Sequence, residues 1–71
     1  MKYIQIYGLK ATVWMYGEPF EKYSSSVFHT IDEALDHREY FVNALNENHK
    51  SALDSPVTFE DTSISVFNLQ V

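Results

Sequence analysis

The sequence predicts an α+β fold: a three- to four-stranded antiparallel sheet with one helix packed on one face, in the order β–β–β–α–β. Three observations predict it. Residues 30–48 repeat apolar side chains at the i, i+3, i+4 spacing of one helical face. The segments on either side are rich in β-branched and aromatic residues. A Gly-Glu-Pro turn interrupts the strands that precede the helix.

The first predicted strands are Tyr3–Tyr7 and Ala11–Tyr16, with Gly8 between them. Gly8 marks either a turn or a bulge that reverses the register of one long strand. The alternation favours the reversal, because Ile4 and Ile6 share one parity and the aliphatic residues after Gly8 share the other. If both sets face the core, the outer face collects an aromatic set that contains Tyr3, Tyr7, Trp14 and Tyr16.

The third predicted strand is Glu21–His29, and Gly17-Glu18-Pro19 closes the hairpin before it. The helix follows directly. Thr30 can cap its first turn, and Glu33 can reach back to the Thr30 N–H group. We expect the helix to end near Asn48 and to bury Ile31, Ala34, Leu35, Phe41, Val42 and Leu45.

A return loop is predicted at residues 49–56, with Ala52 and Leu53 tucked against the core. Val57–Val71 is the last strand region. Its apolar residues change parity, which either a bulge near Val66–Phe67 or burial on both faces explains. Residues 60–62 can divide the region into two short strands.

The chain of 71 residues is the size of one domain, 1–71. Folding buries about 60% of the surface that the unfolded chain exposes, which makes a thin core. The sequence has no cysteine, so neither a disulfide nor a thiolate metal site is expected. No apolar run approaches the roughly 20 residues of a membrane span. We expect a cytoplasmic protein with no membrane partner.

Ten acidic residues against five Lys and Arg give a formal net charge of −5. A chain of this sign gains no counterion release from nucleic acid and is repelled by phosphate, so direct nucleic-acid binding is not expected. The charge favours a protein partner with a basic surface, including one that normally holds nucleic acid. It is equally consistent with solubility alone.

No cofactor, metal or catalytic motif is expected. His29, His37 and His49 lie among carboxylates, but they form no cluster of metal-ligand spacing. There is no nucleophile elbow and no glycine-rich phosphate loop. Ser24-Ser25-Ser26 precede His29, but serines in such a position usually satisfy backbone groups or face water. We therefore interpret the chain as a protein that is not an enzyme.

Two surfaces are predicted to bind a partner. Asp32, Asp36 and Glu39 follow one helical row, which continues to Asn43 and Asn46. This row is a docking strip for a basic partner or, alternatively, a solvated face. Tyr7, Trp14 and Tyr16 form the second surface, on the side of the sheet away from the helix. The alternative is that these rings only stabilise an open sheet. We expect Trp14 to be at least half exposed in the monomer and covered in an assembly.

Residues Phe28–Leu35 resemble a strand-to-helix junction, T-x-[DE]-E-A-L, that occurs in several small families. The stretch is similar to one in the small RNA polymerase inhibitor of a lytic podophage and to the partial-RNase-H fold of HicB-type antitoxins. The preceding hairpin, Thr12–Tyr16 to Phe28, resembles the arm-binding domain of tyrosine recombinases, but this chain lacks that domain's basic residues. Each resemblance covers at most a third of the chain. Together they imply a sheet with one helix and an origin in a phage or mobile element.

The leading function predicted from the sequence is a small acidic protein-binding module, phage-encoded, that acts in the host cytoplasm. It would dock on a larger host macromolecule and inhibit or redirect it, as in anti-defence or transcription inhibition. Two alternatives stay open. One is a homodimeric accessory module that buries its aromatic face against a second copy. The other is a nucleic-acid-binding arm domain, which the charge disfavours.

Overall fold

The computed structural model describes residues 2–71, in which three strands and one long helix are formed. The strands are β1 (Tyr3–Met15), β2 (Glu18–Tyr23) and β3 (Thr62–Gln70), and the helix α1 is Ile31–Asn48. A short 3₁₀ helix, Phe59–Asp61, precedes β3. The antiparallel sheet has the strand order β2–β1–β3. The predicted α+β class, a sheet with one helix on one face, is confirmed. The first two predicted strands are joined as β1.

β1 keeps one register with β3 along their whole contact. The pairing runs without interruption from Tyr3 opposite Gln70 to Ala11 opposite Thr62. No extra residue is inserted at Gly8, so the predicted reversal of register there is wrong. The bulge proposed near Val66–Phe67 is absent for the same reason. The alternative, burial on both faces of β3, is not found either, because Phe67 and Leu69 are 43% and 45% exposed on the face away from α1.

Gly8 has a different role. A Cβ atom added at Gly8 would lie 3.3 Å from Cε2 of Phe67. The Phe67 ring therefore lies over the Gly8 backbone, on the side of the sheet away from α1. An aromatic ring that covers a strand glycine in this way compensates for the missing side chain. Gly8 is therefore explained by the close approach of the Phe67 ring to the backbone and not by a turn.

The unbroken register divides the apolar residues of β1 between the two faces of the sheet. The residues that face α1 form the core together with the helix and Val57; this core consists of Leu9, Ala11, Val13, Met15, Ala34, Phe41, Val42, Leu45 and Val57. Ile4 and Ile6 have the other parity and lie on the opposite face. The prediction that they share the core with Leu9 is wrong, because it depended on the reversal at Gly8.

The hairpin between β1 and β2 is made by two residues, Tyr16 and Gly17. Their φ angles are 55° and 75°, and two positive values in a two-residue loop define a type I′ turn. The turn therefore begins one residue before the predicted Gly17-Glu18-Pro19 sequence and shares Gly17 with it. Pro19 is already in β2, an edge strand, where a missing N–H group is tolerated. The Asp54 carboxylate accepts a hydrogen bond of 2.7 Å from the Gly17 N–H group.

β2 ends at Tyr23, before the predicted strand end at His29. Ser24 explains the early end. Its hydroxyl accepts a hydrogen bond from the Leu9 N–H group and donates one to the Ser26 carbonyl, at 3.2 and 2.8 Å. The side chain thus takes a place that the backbone of a continuing strand would fill. Phe28 then forms one isolated bridge with Tyr7.

α1 begins as predicted, because Thr30 Oγ1 accepts a hydrogen bond of 3.1 Å from the Glu33 N–H group. Its buried side is narrower than predicted. Ile31 and Leu35 are 47% and 40% exposed. At 100° per residue Leu35 lies about 90° from the line of Ala34 and Leu45, so it points along the sheet surface and not into the core.

The return loop packs on the core as expected. Ala52 and Leu53 are half-buried against it, and Leu53 bridges to Met15. Asn46 holds the end of this loop: its side-chain amide donates to the Val57 carbonyl at 3.0 Å, and its side-chain carbonyl accepts from the Val57 N–H group at 2.8 Å. Asn46 is half-buried, so its assignment to the solvent row is wrong. None of the helices in residues 2–71 is both long and apolar enough to cross a membrane.

Replacing Phe41 with Ala should lower the free energy of unfolding by about 3–5 kcal/mol, because the ring is buried between α1 and the sheet. Leu35→Ala, on the same helix but 40% exposed, is the control and should cost much less. Urea unfolding followed by circular dichroism measures both. Equal losses would contradict the described orientation of α1.

Replacing Asn46 with Ala should cost about 1–3 kcal/mol, because it leaves the buried N–H and carbonyl groups of Val57 without their partner. Asn43→Ala is a matched control, since Asn43 is exposed on the same helix. Both substitutions raise helix propensity equally, so the difference between their free energies of unfolding isolates the two hydrogen bonds between Asn46 and Val57. Indistinguishable unfolding midpoints would show that these hydrogen bonds do not stabilise the loop.

Candidate functional site

The predicted acidic row is formed by one face of α1. Asp32, Asp36 and Glu39 are all exposed, and their spacing of four and three residues places them within about 60° of one another around the axis. Glu33 and Glu47 are also exposed on this helix. The structure therefore brings the three predicted residues together on an open surface.

The one positively charged Lys or Arg side chain of α1 lies on a different side of the helix from the acidic row. Arg38 is the helix's only Lys or Arg, so five carboxylates and one guanidinium give α1 a formal charge of 1 − 5 = −4. Arg38 is half-buried on the sheet side, and its guanidinium carbon lies 4.7 Å from the centroid of the Phe59 ring. A cation–π contact of this kind contributes about 0.5–1 kcal/mol. It also holds the guanidinium away from the acidic face.

The predicted aromatic surface is not formed. Tyr7 lies on the α1 side of the sheet, half-buried against the core, whereas Trp14 lies on the opposite side. Trp14 is 46% exposed, slightly below the predicted half. Tyr16 is 81% exposed at the hairpin turn. The three rings do not share a face, because the register does not reverse at Gly8; grouping Tyr7 with Trp14 is therefore wrong.

The sequence interpretation missed a different exposed surface. β1 and β3 extend past the helix as a two-stranded arm, residues 3–7 paired with residues 66–70. Tyr7 also pairs with Phe28, so the part with two strands only is residues 3–6 with residues 67–70. On the face away from α1 the arm carries four apolar residues, the arm patch: Ile4, Ile6, Phe67 and Leu69. Three of them are between 43% and 45% exposed. The signal was present in the sequence, since Ile4 and Ile6 share the parity of Trp14 and not that of Leu9.

The arm makes the molecule long. Its principal extents are 46 × 22 × 18 Å, and the radius of gyration is 13.5 Å, against about 11 Å for a compact chain of this length. The accessible surface is 5122 Å², against about 4,600 Å² for a typical monomer of this mass. The chain therefore exposes about 520 Å² more than a compact fold would.

Two open clefts lie beside α1. One, of about 360 Å³, is lined by the C-terminal turn of α1 and the return loop, including Lys50 and Pro56. The other, of about 260 Å³, lies between the end of β2 and α1. At the second cleft the His37 ring packs between Phe28 and Tyr40, at centroid distances of 5.1 and 4.9 Å and tilted by 48° and 44°. The Ser24 hydroxyl there is engaged by backbone groups, as expected.

Tyr23 lines the second cleft. The pKa of Tyr23 is raised above its ordinary value, because its hydroxyl donates a 3.0 Å hydrogen bond to Glu21, whose negative charge also opposes ionisation. Tyr23 is fully exposed, so this shift reflects a surface pair. Within residues 2–71 there is no group of three or more His, Asp or Glu residues that could hold a metal ion.

Comparison with known proteins gives no relative: no family model, curated protein or solved structure matches the chain. The surfaces of the molecule are therefore the basis for the function proposed below.

Proposed function

We propose that the protein is a non-catalytic binding module that docks through the outer face of α1 on a basic surface of a larger macromolecule. The observation that carries the proposal is the exposure of Asp32, Asp36 and Glu39 on one face of a helix whose only guanidinium lies on another side, against Phe59. A field of one sign on one face steers association with a complementary surface. Docking would block or redirect the partner.

The charge density on α1 decides what kind of partner fits. Five carboxylates lie between Asp32 and Glu47, which is a length of about 22 Å at 1.5 Å per residue. Duplex DNA carries one charge per 1.7 Å of its axis, and a single strand one per 3.4 Å. The negative charges of α1 are therefore spaced too widely for the helix to replace a long nucleic acid. It fits a short basic patch on a protein, at the edge of a nucleic-acid groove or elsewhere.

Inhibition of a host macromolecule by a phage-encoded protein, as the local sequence resemblance implies, belongs to the same proposal. A second candidate is a module that assembles with itself, which the exposed arm patch favours. A nucleic-acid-binding arm is the least supported, since the chain carries a net charge of −5.

The acidic face can be tested by neutralising its three carboxylates, as Asp32→Asn, Asp36→Asn and Glu39→Gln. A matched control neutralises three exposed carboxylates outside α1, as Glu18→Gln, Glu21→Gln and Glu60→Gln. Both variants have the same formal net charge, −5 + 3 = −2. A protein captured from host extract by the wild-type chain is purified, and its association rate with each variant is measured at low and physiological salt.

The α1 variant should associate about tenfold or more slowly at low salt and lose most of its salt dependence, because steering depends on the local field. The control should stay close to the wild-type rate. If both variants slow association equally, net charge alone steers binding. If neither does, the acidic face is only a solvated surface.

A further inference from the structure

The two edges of the sheet differ in their protection. β2 has six residues and carries Glu18, Pro19, Glu21 and Lys22. Charged residues, proline and short length are the devices that keep an edge strand from pairing with another chain. β3 has nine residues, TSISVFNLQ, with no charge, no proline and no bulge. The unprotected edge is therefore the longer one.

The outer edge of β3 presents a regular row of backbone groups. The Val71 N–H group donates to the Lys2 carbonyl at 2.8 Å, so the odd-numbered residues of β3 bond to β1. Because the two sides of an antiparallel strand alternate, Ile64, Val66 and Asn68 direct their N–H and C=O groups outward. In the described residues, no strand lies beyond β3.

We propose that this edge pairs antiparallel with β3 of a second copy of the chain, which gives a symmetric dimer with a six-stranded sheet. A two-fold axis near Phe67 places β3 of one copy against β3 of the other, so two uncharged strands pair. The same axis brings the two arm patches side by side on the face away from the helices. The acidic face of α1 stays exposed, so the dimer is independent of the docking function proposed above.

Electrostatics favours this arrangement over other self-contacts. The helix covers β1 around Thr12, which lies level with the start of β3. Antiparallel pairing about Phe67 therefore places the centres of the two helix-covered cores at opposite ends, about 41 Å apart at 3.4 Å per residue. This separation exceeds the roughly 8 Å Debye length at physiological salt several times. At this distance the charges at the centres of the two copies are largely screened from each other.

The exposed area is of the size that a dimer needs. The chain exposes about 520 Å² more than a compact monomer of its mass, and a standard interface covers about 800 Å² on each partner. The arm patch and the β3 edge adjoin on the arm, where residues 66–71 are all exposed. Pairing there removes apolar surface and satisfies the outward row of backbone groups together.

Sedimentation of the full chain from micromolar to millimolar concentration tests the dimer, with an expected shift from 8.3 kDa to twice that mass. Two substitutions should abolish it. Asn68→Pro removes an outward N–H group without breaking a bond to β1, and Val66→Lys adds the charge that protects natural edges. Val66→Thr, which keeps the shape without a charge, is the control and should stay dimeric.

Hydrogen exchange of the wild-type chain gives a second readout that needs no variant. The amides of Ile64, Val66 and Asn68 should become protected only at concentrations where the dimer forms. A chain that stays at 8.3 kDa throughout overturns the proposal, as does a dimer that survives both Asn68→Pro and Val66→Lys. Protection of these amides that appears only when another protein is added would assign the edge to that protein and also overturn it.

Discussion

The unbroken register of β1 is the constraint on which the rest of the structure depends. This strand of thirteen residues, Tyr3–Met15, pairs with β3 along residues 3–11 and with β2 along residues 10–15, without an inserted residue. Because side chains alternate strictly along such a strand, one register assigns every residue to a face. It places Leu9, Ala11, Val13 and Met15 beneath the helix and places Ile4, Ile6 and Trp14 on the other side. The core, the arm patch and the separation of Tyr7 from Trp14 all follow from this assignment.

The second constraint is a difference in length. The 13 residues of β1 extend about 41 Å at 3.4 Å per residue, whereas the 18 residues of α1 extend about 27 Å. One helix cannot cover the whole of one face of such a strand. The uncovered part is the arm, and its apolar residues are exposed on the side that no helix reaches. The surfaces available for binding are thus what the helix leaves open, together with the helix's own acidic face.

Features set by local spacing could be predicted from the sequence. The Thr30 cap and the exposed row of Asp32, Asp36 and Glu39 depend only on helical periodicity. The packing of Ala52 and Leu53 followed from their apolar character within a polar loop. Features that depend on tertiary contacts could not be predicted. β1 contains two aliphatic sets of opposite parity: Ile4 with Ile6, and Leu9 with the residues that follow it. Both sets are suitable for a core, and the local pattern does not show that only one of them contacts the helix. Asn46 looks like a surface residue until the return loop brings Val57 against it.

The most direct test of the account is the register of β1 against β3 on both sides of Gly8. In non-hydrogen-bonded antiparallel pairs the Cα atoms lie about 4.5 Å apart, so the facing Hα protons give strong nuclear Overhauser effects. The account predicts Hα–Hα effects for Gln5 with Asn68, for Tyr7 with Val66 and for Leu9 with Ile64, one continuous series. A series that shifts by one residue across Gly8 would restore the reversal. It would place Ile4 and Ile6 on the helix side and contradict the assignment of the arm patch.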